Sequence, residues 1–236
     1  MSATNTTNPN SNANLKPILL YGTGGVNPPK VVILLHELSL PFTPIPIALS
    51  AVKSPSYTSI NPNGRLPAIH DPNTNLTLWE SGAILEYLIE TYDPTHKIGF
   101  PAGTPESYLA KQYLFFQASG QGPYYGQAAW FKNFHHEQLP SAVERYLKEV
   151  NRVTGVLERV LTEEGGKFPG GEGPWLVGGR YSVADLAFVS WQTLVEKVLS
   201  KGEYDPEEFP VVKDWIRRML EREAVREGLG SAGKLE

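Results

Sequence analysis

An apolar tetrapeptide, Ile18-Leu19-Leu20-Tyr21, leads into a loop, Gly22-Thr23-Gly24-Gly25-Val26, and the loop leads into Asn27-Pro28-Pro29-Lys30. The tetrapeptide reads as a short buried strand, and Val31 to Leu40 as an amphipathic helix. Asn27 is placed as an N-cap, whose side-chain carbonyl can accept from the first free backbone N–H groups. Pro28 then takes the first helical position, where a missing N–H costs nothing. A helix start of this kind favours an anion. The rest of the chain has to say which one.

The pattern continues as short strands and two helices up to about residue 93. Phe42 to Ala48 alternates like a strand, and Pro44 and Pro46 confine it to a sheet edge. A polar connection, Ser50 to Ser59, carries Lys53. Asn61-Pro62-Asn63-Gly64 marks turns. Leu66 to Ile69 and Leu76 to Trp79 read as a hairpin around Asp71-Pro72-Asn73. Ala83 to Tyr92 reads as a helix with Ile84, Leu85, Leu88 and Ile89 on one face. This order is βαβ followed by ββα, that of a thioredoxin-like unit over residues 15–93.

Residues 94–105 read as a linker and 106–230 as an all-helical domain. Glu106 to Gln117 has helical spacing, and Gly120, Gly122 and Pro123 should bend or break it. Leu139 to Glu164 is a long amphipathic helix. Ser182-Val183-Ala184-Asp185 resembles a capping box, with Asp in place of Glu or Gln, and opens a buried helix to Leu199. Phe209 to Leu220 and Arg222 to Glu227 close the chain. The Asn-rich segment 1–14 lacks the apolar side chains needed to offset ordering, so it is expected to be disordered, and 231–236 reads as a tail.

The chain has no cysteine, which excludes a thiol nucleophile of its own, disulfides and thiolate metal sites. Any sulfur chemistry must use a sulfur brought by a ligand. The five histidines show no zinc spacing, and His135-His136 would point to opposite sides of a helix, so no metal is expected. A net charge of -4 disfavours nucleic acid and anionic membranes as partners. No apolar run is long enough to span a bilayer, and no secretory signal opens the chain. A cytoplasmic protein is expected.

Five motifs in order resemble the cytosolic glutathione transferase superfamily. They are Asn61-Pro62-Asn63-Gly64-Arg65-Leu66-Pro67, Trp79-Glu80-Ser81-Gly82-Ala83-Ile84, Phe115-Phe116-Gln117, Ala142-Val143-Glu144-Arg145-Tyr146 and Tyr181-Ser182-Val183-Ala184-Asp185. The resemblance is closest to the fungal nitrogen-regulator (prion-protein)-like group and the bacterial Nu class, which place an Asn at the start of the first helix. It implies the glutathione transferase fold: an α/β thioredoxin-like N-terminal domain plus an all-α C-terminal domain, usually as a homodimer. It also implies glutathione as co-substrate, held by Asn27, Lys53, Arg65, Leu66, Pro67, Glu80, Ser81 and Arg145.

Elementary chemistry suits these positions to that tripeptide. Leu66, before a proline expected to be cis, would pair with the ligand's cysteinyl backbone. Ser81, at a helix start, would hold the γ-glutamyl carboxylate. Glu80 would take the ammonium and Lys53 the glycine carboxylate. For Arg145, approach to glutathione and a helix-surface ion pair with Glu144 or Glu149 are equally open. A free thiol titrates at about 8.5, and lowering it to about 6.5–7 needs roughly 2–3 kcal/mol. A helix start supplies about 0.3–1 kcal/mol. An Asn27 amide N–H would add about 1.5–3 kcal/mol.

Tyr21, on the preceding strand, is the rival thiol activator, and Thr23 a weaker one. Gly25 stands where Nu-class relatives often keep a Thr, and Val52 where relatives often have Gln or His, so one donor and one contact are missing. Tyr124, Trp130 and Phe131 are expected to line a pocket for an apolar or electrophilic second substrate. The expected activity is transfer of glutathione to such an electrophile, in detoxification or secondary metabolism. The alternatives are a glutathione-dependent disulfide-bond reductase, an olefin isomerase, and a glutathione-binding regulator with little catalysis.

Overall fold

The computed structural model describes residues 14–167 and 173–231. The expected disorder of the Asn-rich tail and the tail at 231–236 fall almost wholly outside that range. The first half contains β1 (Ile18–Tyr21), α1 (Pro28–Glu37), β2 (Phe42–Ile45), a short α2 (Pro55–Thr58), β3 (Ala68–Asp71), β4 (Leu76–Trp79) and α3 (Ser81–Tyr92). The strands form one mixed sheet in the order β2-β1-β3-β4. β2 runs parallel to β1, with Leu20 opposite Pro44, while β3 is antiparallel to both β1 and β4. The two-proline strand therefore sits at an edge, where its missing N–H groups interrupt no inner ladder.

The second half contains α4 (Pro105–Phe116), α5 (Gly122–Asn133), α6 (Pro140–Lys167), α7 (Val183–Val198), α8 (Pro210–Leu220) and α9 (Glu223–Gly230). Of the expected bend or break after α4, no break occurs, and the regular helix is interrupted by one wide turn. A π-turn, Gln117–Gln121, carries the helix directly on into α5. Pro123 lacks an N–H and its ring crowds the preceding turn. One wide turn absorbs that conflict without ending the helix. α7 is buried from Val183 to Thr193 and forms the centre of this half.

Ser182 and Asp185 close the expected capping box at the start of α7. Asp185 is fully buried and accepts from the Ser182 N–H (2.9 Å) and hydroxyl (3.0 Å), the Leu176 N–H (2.9 Å) and the Trp215 indole (2.9 Å). It thus joins α7, α8 and the segment before α7.

α1 is enclosed on all sides. Val31 to Leu35 are buried, between the sheet and α3 on one side and α7 and α9 on the other. α9 approaches so closely that a Cβ on Gly228 would lie 2.3 Å from Ile33 Cγ1. Arg222, just before α9, grips the buried Glu37 carboxylate through Nε (2.7 Å) and Nη2 (3.0 Å). The first helix is therefore fixed by the last.

Candidate active site at the start of the first helix

Gly22 follows β1 at φ +76°, where a Cβ would lie 2.4 Å from the Leu66 side chain. Glycine is required there so that the loop can close over Leu66. Gly25, at φ +92°, has open space around it. A hydroxyl-bearing residue would have room but would be strained by the backbone.

Asn27 precedes α1 with φ −84° and ψ −38°, and its side chain makes no cap hydrogen bond. This corrects the capping expectation, and the reason is local. The cap would normally accept from the second or third helical N–H. Pro29 has none, and the Lys30 N–H is taken by the Asn27 backbone carbonyl at 3.2 Å. The side chain turns instead to the helical half. Its Oδ1 accepts from the Trp191 indole Nε1–H at 3.0 Å. An indole N–H only donates, so the atom facing it must be the amide oxygen, and the NH₂ is left as a directed donor. The two prolines also remove N–H groups from the helix start, so the Asn27 NH₂ is a donor where backbone donors are few.

The second wall of the site follows β2. The Leu66-Pro67 peptide is cis. Among the described residues, the Leu66 backbone makes no hydrogen bond within the protein, and β3 begins only at Ala68. The preceding loop is tied by Asn61 Nδ2 to the Arg65 carbonyl (2.6 Å) and by the Tyr57 hydroxyl to the same carbonyl (2.8 Å). Lys53 Nζ donates to the Asn63 carbonyl (2.8 Å), and Asn63 Nδ2 reaches Glu80 Oε1 (3.4 Å). Lys53 and Glu80 are thereby joined through Asn63, a link that sequence reasoning missed, in the loop that runs on to Leu66. Glu80 turns β4 into α3 at φ 72°, and Ser81 opens α3 half-buried. A non-glycine residue at positive φ is uncommon and tends to mark a functional turn.

Other expected residues are placed differently. Arg65 contributes its carbonyl to the loop, while its exposed side chain has no hydrogen-bond partner among the described residues. Arg145 is exposed on α6 and donates to Glu149 at 2.6 Å, the helix-surface ion pair. No contact joins it to Asn27, Lys53 or Glu80 among the described residues. Tyr21 ends β1 opposite Ile45 and Ala68, on the sheet face away from Leu20.

Tyr124 and Phe131 do come together, each against Tyr146, with ring centroids 6.4 and 5.6 Å apart. Val26, next to Asn27, packs against the buried cluster of Tyr125, Val150, Val153 and Trp191, and so do Tyr124 and Tyr146. Trp130 stacks on Phe134 instead and is half exposed. Consecutive helical residues lie about 100° apart, so Trp130 and Phe131 cannot share a face. His135 and His136 lie beyond the end of α5, and their rings are 4.6 Å apart. The expectation that they diverge assumed a helix that has already stopped. With Glu137 they offer three potential ligand atoms within 4.8 Å of one another, at the surface.

Comparison with known proteins identifies the family to which this fold belongs. The family model described as glutathione S-transferase, N-terminal domain, matches residues 28–91, and the one described as glutathione S-transferase, C-terminal domain, matches 91–223. The chain is 58% identical to the glutathione S-transferase-like protein tpcF of Aspergillus fumigatus over 216 residues, 91% of this chain and 96% of that protein. The glutathione transferase URE2P6 of Phanerochaete chrysosporium, solved in complex with oxidized glutathione, superposes with a TM-score of 0.84 at 44% identity, covering 94% of this chain and 98% of that one. Ure2p in complex with glutathione gives 0.82 at 35% identity, covering 91% and 94%. The sheet, the helical half and these matches together show that the chain belongs to the glutathione S-transferase family, with Ure2-type proteins among its structural neighbours.

Proposed function

We propose that this protein is a glutathione transferase that holds the glutathione thiolate at the Asn27 amide. The observation that carries the reading is the Trp191–Asn27 hydrogen bond, which engages the amide oxygen and leaves the Asn27 NH₂ as a donor at the start of α1. In this reading Leu66 pairs with the cysteinyl backbone, Glu80 takes the ammonium, Ser81 and the start of α3 take the γ-glutamyl carboxylate, and Lys53 takes the glycine carboxylate. The thiol proton leaves to solvent. The sulfur lone pair then forms a bond to an electrophilic carbon held against Tyr124, Phe131 and Tyr146, and the leaving group departs with its electron pair.

A second reading is reduction of a disulfide by glutathione. It is favoured by the solved relative that holds oxidized glutathione. Because this chain has no cysteine, both exchanging thiols would come from glutathione. Turnover with chlorodinitrobenzene against hydroxyethyl disulfide separates the two. Glutathione binding with no turnover on either substrate, or on an activated olefin, would establish a binding role instead. Failure to bind glutathione would sink every one of these readings.

Trp191→Phe keeps the ring and removes the N–H. The Asn27 amide then loses the partner that fixes its orientation. We expect kcat to fall by about threefold to tenfold with a smaller change in KM for glutathione, as loss of one orienting hydrogen bond predicts. Equal turnover in the variant and the parent would remove Trp191 from the site.

We also infer a cytoplasmic homodimer. Tyr108, Leu109 and Phe115 of α4, and Leu76 and Trp79 of β4, are large apolar side chains left exposed on a single chain. Light scattering should give twice the chain mass, and a monomer mass would refute the dimer. No helix among the described residues is long and apolar enough to cross a membrane.

A further inference from the structure

Lys30 lies one turn beyond Asn27 and is 1% exposed. Its Nζ donates to Gln117 Oε1 at 3.0 Å, across the boundary between the two halves. Gln117 is the first residue of the π-turn. Its amide is oriented by a buried row of side chains. Gln117 Nε2 donates to Gln121 Oε1 (3.2 Å), Gln121 Nε2 to Gln192 Oε1 (3.3 Å), and Gln192 Nε2 to the Tyr204 hydroxyl (2.8 Å). Each amide oxygen in the row accepts and each nitrogen donates, so Gln117 Oε1 must face a donor. Lys30 is that donor.

This row reaches the candidate site. A Cβ on Gly122 would lie 3.6 Å from Gln117 Nε2 and 3.7 Å from Trp191 Nε1. The group that accepts from Lys30 and the group that orients Asn27 therefore meet at one glycine. A lysine amine enclosed in this way is costly to charge. Burial pulls Lys30 down from 10.5 to about 7, while the Glu80 carboxylate pulls it back up. Near neutral pH it is divided between its two forms.

The other charged groups around α1 are engaged elsewhere. Asp185 of α7 is held by Ser182, Leu176 and Trp215. Glu37 is held by Arg222, and Glu227 of α9 faces His36, both at the far end of α1. Glu86 of α3 faces Lys111 of α4. Glu80 of the β4–α3 turn is left as the carboxylate acting on Lys30.

We propose that Lys30 is a positioning charge for the glutathione sulfur: a buried amine beneath Asn27 that gains a proton as the bound thiol loses one. This rests on the reading that the site holds a glutathione thiolate. The balance is simple. The S–H proton passes to solvent, the Lys30 NH₂ takes a proton from solvent to become NH₃⁺, and no bond forms between them. The γ-glutamyl end of the ligand carries one ammonium and one carboxylate, so the charge it adds near Glu80 is neutral. The glycine carboxylate is met by Lys53. The thiolate is the unmatched charge, and an opposite charge nearby favours both ionised forms.

The test uses the full chain and reduced glutathione. Ultraviolet thiolate absorbance gives the thiolate formed per site. Calorimetry in buffers of different protonation enthalpy gives the net protons released. Close to neutral pH the thiolate formed should exceed the protons released, and the gap is the proton taken up by Lys30. Lys30→Gln keeps a donor for Gln117 but cannot take a proton. It should close the gap and raise the thiol midpoint by about one pH unit. A purely structural lysine would alter melting temperature or affinity and leave both readouts where they were. A wild-type gap of zero overturns the proposal even if the variant fails to fold, as does an unchanged midpoint in a folded variant. Absence of glutathione binding by the wild type overturns the underlying site reading, a result distinct from binding without a gap.

Discussion

Asn27→Ala should lower glutathione-dependent kcat by about tenfold or more, as loss of one charge-assisted hydrogen bond to a thiolate predicts. The variant should stay folded, because the Asn27 side chain caps nothing. Its removal leaves one indole N–H of Trp191 without an acceptor, at a cost of about 1–3 kcal/mol. Affinity for glutathione should change little, since Leu66, Glu80, Ser81 and Lys53 all remain. The thiol midpoint in the bound state should rise toward that of free glutathione. Steady-state kinetics over a pH series measures both effects. If Tyr21→Phe produces the loss and Asn27→Ala does not, the thiol is activated from the strand and the assignment fails.

The second large effect concerns stability. Asp185→Ala leaves three buried or capping N–H donors unsatisfied, those of Ser182, Leu176 and Trp215. At about 1–3 kcal/mol for each buried unsatisfied group, the loss should be about 3 kcal/mol or more. For a chain of this size that lowers the melting temperature by roughly 10 °C. The same residue predicts a pH dependence. Burial pushes its carboxyl up from 3.8 to about 6. The folded state then binds the proton more tightly than the unfolded chain does, so the Asp185 contribution weakens as pH rises between those two values. Urea midpoints across that window should show a slope in the wild type that Asp185→Ala lacks. Equal melting temperatures in parent and variant would show that the capping box is dispensable.

The sequence made the local geometry legible wherever one element determined its own neighbours. β1, the edge position of β2, the β3–β4 hairpin and the α7 capping box all follow from periodicity, proline and short-range pairing. Of the residues proposed for the site in the first half, Lys53 and Glu80 are joined through Asn63, which lies in the loop that leads to Leu66. What stayed hidden depends on contacts distant in sequence. Asn27 satisfied the local rule for a cap, but Pro29 removed the donor and Trp191 supplied another. Gly120, Gly122 and Pro123 satisfied the local rule for a break, but burial of Gln117 and Gln121 made a wide turn preferable to an end. Gln117 stood in a family motif and Lys30 in the opening segment, but nothing in either pointed to the other. Trp130 and Phe131 read as one aromatic group because adjacency in sequence resembles adjacency in space, which a helix denies.

The enclosure of α1 has a consequence for how the protein is made. The residue that orients Asn27 lies 164 positions after it, and the arginine that grips Glu37 lies 185 positions after its partner. A ribosome adding about 5–20 residues per second needs roughly 10–40 s to cross that interval. Throughout it, the first helix has emerged while the groups that fix its two ends have not been synthesised. The corner proposed to bind sulfur is therefore completed near the end of translation, after most of the sheet can have formed. A nascent or C-terminally clipped chain would carry Lys53, Leu66 and Glu80 yet lack the oriented amide. On the proposed reading, ribosome-arrested chains ending before Trp191 should stabilise a bound thiolate less well than the full chain does, because the domain that bears most of the site lacks the group that orients its amide.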